Sequence, residues 1–135
     1  MDGVRLSTQI ESVDWVAFRQ ALVDDRFDNG RTPEEYERSA RGSFLSVFAY
    51  WNEAIVGNAR VLSDGVCNAY VVDVWTRSDL RRQGIGRAMV ETLLRACEGQ
   101  HVYLFTDDME PFYTSLGFEP QPTGMSQVVG RWLRR

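Results

Sequence analysis

Long apolar runs are missing from this chain of 135 residues. No window approaches the roughly 20 apolar residues of a membrane span. The opening MDGVRLSTQI lacks the basic start and apolar stretch of a secretory signal. A cytoplasmic protein with no membrane partner is the expectation. Cysteine is scarce: Cys67 and Cys97 stand without CxxC or Cys/His spacing, which argues against a disulfide framework and a zinc site and predicts two buried thiols. Histidine occurs once, and His101 reads as a surface turn residue rather than a base. With no cluster of ligand residues, no metal is expected. Basic charge is also short. A net charge of -4 offers no basic face to a phosphate backbone, so no nucleic acid partner is expected, and the terminal RWLRR reads as a solvated tail.

What is present is ordinary globular composition, 44% hydrophobic and 25% charged. The length suits a single domain spanning residues 1–135 without a linker. Apolar spacing in SVDWVAFRQALVDD predicts a helix behind a cap at Ser12 that ends near Asp24. The acidic loop DDRFDNGR follows. TPEEYERSARG then reads as a second helix, with Thr32 as N-cap, Pro33 in the first turn, Glu35 completing a capping box and Gly42 as the stop.

From Phe44 the residues become β-branched and aromatic. FLSVFAYW, AIVGNARVLS and CNAYVVDVWT, separated by Asn52-Glu53 and by a turn at Asp64-Gly65, predict a three-strand antiparallel meander. Ile85, Ala88, Met89, Thr92, Leu93 and Ala96 then mark one face of a helix stopped by Gly99. HVYLFT reads as a short buried strand parallel to the one before that helix. MEPFYTSLGF predicts a short helix ending at Gly117, and MSQVVGRWL a last strand.

RRQGIG, Arg81 to Gly86, joins the third strand of the meander to the helix. Its glycines allow close backbone approach, and the first helical amides have no partner inside the helix, which together make an anion site. A P-loop is excluded because Arg87 and Ala88, not Lys and Ser/Thr, follow Gly86. A dinucleotide fingerprint is excluded because Met89 stands where a third glycine or an alanine belongs. A plain surface turn is the other reading of the same six residues.

Arg81, Gly84 and Gly86 meet a pattern Arg/Gln-x-x-Gly-x-Gly/Ala that resembles the acetyl-CoA loop of the GCN5-related N-acetyltransferase (GNAT) superfamily. VVDVWTRSDLRRQGIGRAMVETLL is similar to that family's fourth strand, pyrophosphate loop and third helix. VYLFTDDMEPFYTSLGFEP is similar to its fifth strand and to the helix carrying Phe112, Tyr113, Gly117 and Phe118. The resemblance implies an α/β fold with a mixed, mostly antiparallel central sheet flanked by helices, and an acetyl-CoA site at the splay between the fourth and fifth strands. It implies a pyrophosphate held by Arg81, Arg82, Gln83, Gly84, Ile85, Gly86 and Arg87, and a pantetheine arm along Val74 and Thr76, with the Val74 amide polarising the thioester carbonyl. Tyr113 matches the acid that protonates the departing thiolate. Thr106 stands where many members have Asn, and Ser78 where many have Pro.

The implied reaction is acetyl transfer from acetyl-CoA, as cosubstrate and without a metal, to a primary amine by direct attack. Asp73 is the nearest carboxylate on the cofactor strand, where alternation points its side chain opposite to those of Val72 and Val74. It is either the general base, directly or through water, or one member of an ion pair with Arg77 or a neighbouring strand. Asp24, Asp25, Asp28, Asp107 and Asp108 are acids suited to attracting a cationic amine. Acceptors left open are a polyamine, an amino acid derivative, an aminoglycoside-like amine, and a protein N-terminus or lysine. A homodimer is among the assemblies the resemblance allows. The alternative of another class is a non-catalytic acyl-CoA-binding sensor or partner module.

Overall fold

The structure, a computed structural model, describes residues 2–135. Two compact units make it up, one running to Leu104 and the other comprising Phe105–Arg135.

The first unit is built on a five-stranded sheet in the order β1 (Val4–Ser7), β2 (Leu45–Trp51), β3 (Ala54–Ser63), β4 (Asn68–Thr76) and β5 (His101–Tyr103). The first three pairings are antiparallel and β4 to β5 is parallel. The meander and the parallel pairing follow the sequence reading; β1, which that reading did not assign, extends the sheet at its far edge. Asn52 and Glu53 turn β2 into β3 with φ of 50° and 63°, the paired positive angles of a two-residue hairpin whose twist matches its strands. Between β3 and β4 the loop is longer. There the Asp64 carboxylate accepts the amides of Val66, Cys67 and Asn68. Cys67 is consequently exposed rather than buried, while Cys97 is buried as expected.

Alternation along the strands loads both faces. Val47, Ala49, Val56, Ala59, Val61 and Val71 form one core with Ile85, Met89 and Leu93 of α3 (Ile85–Ala96). On the other face Phe48, Tyr50, Ile55 and Trp75 pack with Phe18 and Leu22 of α1 (Trp15–Asp24) and Tyr36 of α2 (Pro33–Arg41). Edge-to-face contacts tie Phe18 to Tyr36 at 5.2 Å, to Phe48 at 5.3 Å and to Trp75 at 6.3 Å. Such pairs add stabilisation beyond their buried area.

The helix ends show which local signals govern. At α2 the capping box forms as read: Thr32 Oγ1 accepts the Glu35 amide at 3.1 Å, and Glu35 Oε1 accepts the Thr32 amide at 2.9 Å. At α1 the cap is Asp14, whose carboxylate accepts the Ala17 amide at 3.0 Å, and Ser12 instead ends a preceding 3-10 turn. The carboxylate two residues later wins because it can reach the first free amides from the residue where the chain turns into the helix.

The second unit carries α4 (Glu110–Thr114) and a short 3-10 turn at Trp132–Arg134. The expected strand over MSQVVGRWL is absent: residues 125–129 are irregular, and Met125, Val128 and Val129 are exposed. Apolar, β-branched sequence is not enough to make a strand without a partner to pair with. HVYLFT likewise contributes three residues to β5 rather than six.

Leu93 is fully buried between α3 and the sheet. Leu93→Ala is expected to lower the unfolding free energy by about 3 kcal/mol, read by denaturant titration, through lost burial and the cavity left behind.

Candidate active site

After Thr76 the chain leaves β4 through a 3-10 turn at Ser78–Leu80, where buried Leu80 pins it to the core, and then runs over the exposed residues Arg81, Arg82, Gln83 and Gly84 into α3. Gly84 is the N-cap, with φ of 90°, a left-handed value that a β-carbon disfavours. It supplies no side-chain cap, and the helix begins with the Ala88 amide donating to the Gly84 carbonyl at 3.0 Å. The amides of Ile85, Gly86 and Arg87 are therefore left without intrahelical partners at the positive end of the helix dipole. A β-carbon built on Gly84 would meet nothing within 4 Å, so the cradle is open. Arg81 Nε donates to the Thr76 carbonyl at 3.4 Å, and Arg87 pairs with Glu91 at 3.5 Å on the helix surface. These features suit a diphosphate.

The strand beside the loop is open as well. β5 pairs with Asn68, Ala69 and Tyr70 only. Over residues 71–76, which include Val74, β4 has no strand neighbour on that side among the described residues. An extended arm thus has free backbone to run along.

Asp73 breaks the alternation expected of β4. Arg60 faces Val72 and Asn58 faces Trp75, so Asp73 and Val74 both stand opposite Ala59. This is a β-bulge, and Asp73 has φ of 59°. Its effect is visible in the packing. Val71 faces α3, but Trp75, an even number of residues on, faces α1 and α2.

At the bulge the Asp73 carboxylate is bound by two guanidinium groups, Arg31 Nη2 at 2.8 Å and Arg60 Nε at 2.8 Å. Of the two partners weighed from sequence, the neighbouring strand supplies Arg60, while Arg77 pairs with Asp79 at 2.7 Å. Burial alone would raise the Asp73 pKa, but the charges and hydrogen bonds of Arg31 and Arg60 hold it below the ordinary carboxylate value. Asp73 is thus a fixed anion and a weak proton acceptor.

Arg31 escaped the sequence reading, because nothing in GRT marks it as other than a turn residue, yet it is 7% exposed. Its Nε donates to Asn29 Oδ1 at 3.0 Å, and its guanidinium lies 4.2 Å from the Tyr36 ring centroid. Desolvation raises the Tyr36 pKa, so that hydroxyl keeps its proton. Together with Phe27, Asn58 and Trp75 these residues line a cavity of about 230 Å³.

Asp25, read as a free acid of the loop, is instead committed. Its carboxylate accepts Trp75 Nε1 at 2.9 Å, the Ser78 amide at 3.1 Å and Ser78 Oγ at 3.0 Å. Asp24 accepts from Gln20 at 2.8 Å. Asp25 thereby fastens the end of α1 to the strand and turn that lead into the RRQGIG loop, and Ser78 is the residue it grips.

In the second unit, Tyr113 lies in α4 with Phe112 and Phe118 edge-on at 4.9 Å and 5.9 Å. Burial raises its pKa, so the phenol is protonated at neutral pH. Its hydroxyl has no protein partner among the described residues. Thr106 Oγ1 accepts the Met109 amide at 3.0 Å and so shapes the turn into α4. His101 is exposed, its Nδ1 2.9 Å from the Tyr103 hydroxyl.

The model of the acetyltransferase (GNAT) family matches residues 8–118. The chain belongs to that family. Among its relatives is GCN5-related N-acetyltransferase 2, chloroplastic, of Arabidopsis thaliana, 39% identical over 75 residues that cover 53% of this chain and 29% of that protein. The match therefore spans less than a third of the length of this relative. A GNAT family acetyltransferase from Streptococcus pneumoniae has a similar structure, with a TM-score of 0.72 at 27% identity over 95% of this chain and 98% of that one. A Clostridium acetobutylicum chain described as a predicted acetyltransferase with acetyl-CoA shares the fold, with a TM-score of 0.67 at 16% identity over 93% and 94% of the two chains. The mixed sheet is the GNAT sheet.

The Asp73 cluster carries a pH signature in stability. A carboxyl with a lowered folded pKa contributes stability that is present above its unfolded value, near 3.9, and is lost as pH falls through the folded value. Asp73→Asn is expected to lower the unfolding free energy by on the order of 2 kcal/mol at pH 7, since it strands two guanidinium groups. The deficit relative to wild type should shrink below about pH 4, read by denaturant titration at each pH.

Proposed function

We propose that this GNAT protein transfers the acetyl group of acetyl-CoA to a primary amine by direct attack, with no covalent enzyme intermediate. The observation that carries the proposal is the open helix start at residues 84–87 beside an unpaired length of β4. Amides of residues 85–87, with the exposed arginines Arg81, Arg82 and Arg87, bind the pyrophosphate; Gln83 belongs to the same turn. Val74 and Thr76 offer backbone groups to the pantetheine arm. The bulge takes Val74 out of register with β3, which suits its amide to donate to the oxygen that gains charge in the transition state.

When bound, acetyl-CoA supplies the acyl group and a thiolate leaving group. Tyr113, protonated at neutral pH, donates the proton that the departing sulfur needs. Asp73 takes part as a fixed negative charge. With two arginines on its carboxylate, removal of the amine proton falls to water rather than to Asp73 itself. Thr106 has its hydroxyl committed to the Met109 amide as acceptor and keeps a hydroxyl hydrogen to donate to the cofactor.

Two variants test this assignment. In Gly84→Val a side chain enters the open cradle, so a folded variant is expected to lose acetyl-CoA binding at least about a hundredfold by calorimetric titration. Unchanged affinity would remove the loop from the site. Tyr113→Phe is expected to lower kcat about ten- to a hundredfold while the affinity for acetyl-CoA stays near wild type. Wild-type turnover would assign the proton to solvent. A protein that binds acetyl-CoA yet acetylates no amine in a broad panel would be the acyl-CoA-binding module instead.

A further inference from the structure

If the protein is the acetyl-CoA-dependent transferase proposed, the cavity at the Asp73 bulge narrows its acceptor. Arg31 and Arg60 bring two positive charges to the cluster and Asp73 returns one negative charge. Tyr36 stays neutral. Asp28, on the same loop, is exposed and forms no ion pair with either arginine, although its charge is felt at Tyr36. Within this ion-paired cluster one positive charge is left over, and two of its members, Arg31 and Asp73, line a cavity of about 230 Å³. Side-chain exposure is 9% for Arg31 and 15% for Arg60, so water does little to compensate it. A buried charge of this kind calls for a partner.

Arg31 is also held in place. Asn29 fixes its Nε, Asp73 its Nη2, and the Tyr36 ring its face. Nη1 is the guanidinium nitrogen without a partner among the described residues. Asn58 Nδ2 donates one hydrogen to the Val47 carbonyl at 3.0 Å, which fixes that side chain in the cavity wall and leaves its second hydrogen as a further donor. A guanidinium whose plane is already set loses little freedom on gripping a carboxylate or phosphate.

We propose that this cavity is an anion subsite of the acceptor site, so that the acceptor is a small amine carrying a carboxylate or phosphate group close to the nitrogen that is acetylated. Polyamines are disfavoured because they would bring like charge to the arginines. Aminoglycoside-sized amines are disfavoured by volume, since pockets for drug-sized ligands run from about 300 to 1,000 Å³. Of the acceptor classes left open by the sequence, an amino acid derivative fits best.

The test compares matched acceptors that differ only in the anionic group. Free amino acids are set against their carboxamides, and ethanolamine phosphate against ethanolamine, with spermidine as the cationic control; wild type and Arg31→Gln are assayed by mass spectrometry of the acetylated product. Wild type is expected to favour the anionic member of at least one pair by at least about thirtyfold in kcat/KM, the scale of one lost charge-assisted contact. Which pair shows it decides between carboxylate and phosphate. In Arg31→Gln the preference should fall to within a few-fold of unity through a higher acceptor KM, with KM for acetyl-CoA unchanged. Arg31→Lys, which keeps the charge but not the fork, should retain part of the preference and serves if the glutamine variant fails to fold.

Equal use of both members of every pair, a preference for spermidine, or an undiminished anion preference in a folded Arg31→Gln protein would overturn the proposal. If no amine is acetylated at all, the transfer reading fails, and the subsite is judged separately by titrating succinate and inorganic phosphate into the CoA-saturated protein. Binding of either that weakens at least tenfold in Arg31→Gln supports the subsite; no binding overturns it.

Discussion

One carboxylate in a β-bulge organises the cavity between the sheet and the helices α1 and α2. Asp73 occupies a left-handed backbone conformation inside β4, a geometry that costs about 1–3 kcal/mol and persists only where the surroundings over-determine it. Here they do. Arg60 reaches it along the neighbouring strand and Arg31 from the loop between α1 and α2, each at 2.8 Å. The same bulge reverses the facing of β4, so that Trp75 turns from the α3 side to the α1 and α2 side. A single extra residue therefore creates the cavity wall, sets the charge within it and frees Val74 from its register with β3.

The RRQGIG loop rests on a different device. Ile85, Met89 and Leu93 bury α3 against the sheet, and Leu80 anchors the chain just before it, so the exposed loop between them is short and held at both ends. Asp25 joins the two devices, because its carboxylate grips Trp75 in the cavity wall and Ser78 at the start of the loop. Cavity and loop are thereby tied together through Asp25, as the proposed reaction needs when two reactants must meet in fixed geometry.

Much of this frame is legible in the sequence where local chemistry decides it. The Thr32 capping box, the meander, the parallel β5 and the α3 face all follow from spacing, and the glycines of RRQGIG mark the turn that opens α3. What stays hidden depends on contacts far apart in the chain. Arg31 meets Asp73 across 42 positions and Asp25 meets Ser78 across 53, and neither pairing leaves a periodic trace. The bulge is invisible because residues 71–76 read as regular alternating strand. Val128 and Val129 mislead in the opposite direction, as strand-forming residues that have no strand to join.

A crystal structure of the protein with CoA is the most direct test of the claim that the frame built around Asp73 serves a GNAT reaction. The account predicts the pyrophosphate on the amides of Ile85, Gly86 and Arg87, the pantetheine arm along β4 beyond Tyr70, and Asp73 still bridging Arg31 and Arg60 at the end of that arm. CoA bound elsewhere, or Asp73 released from both arginines when CoA is in place, would contradict it.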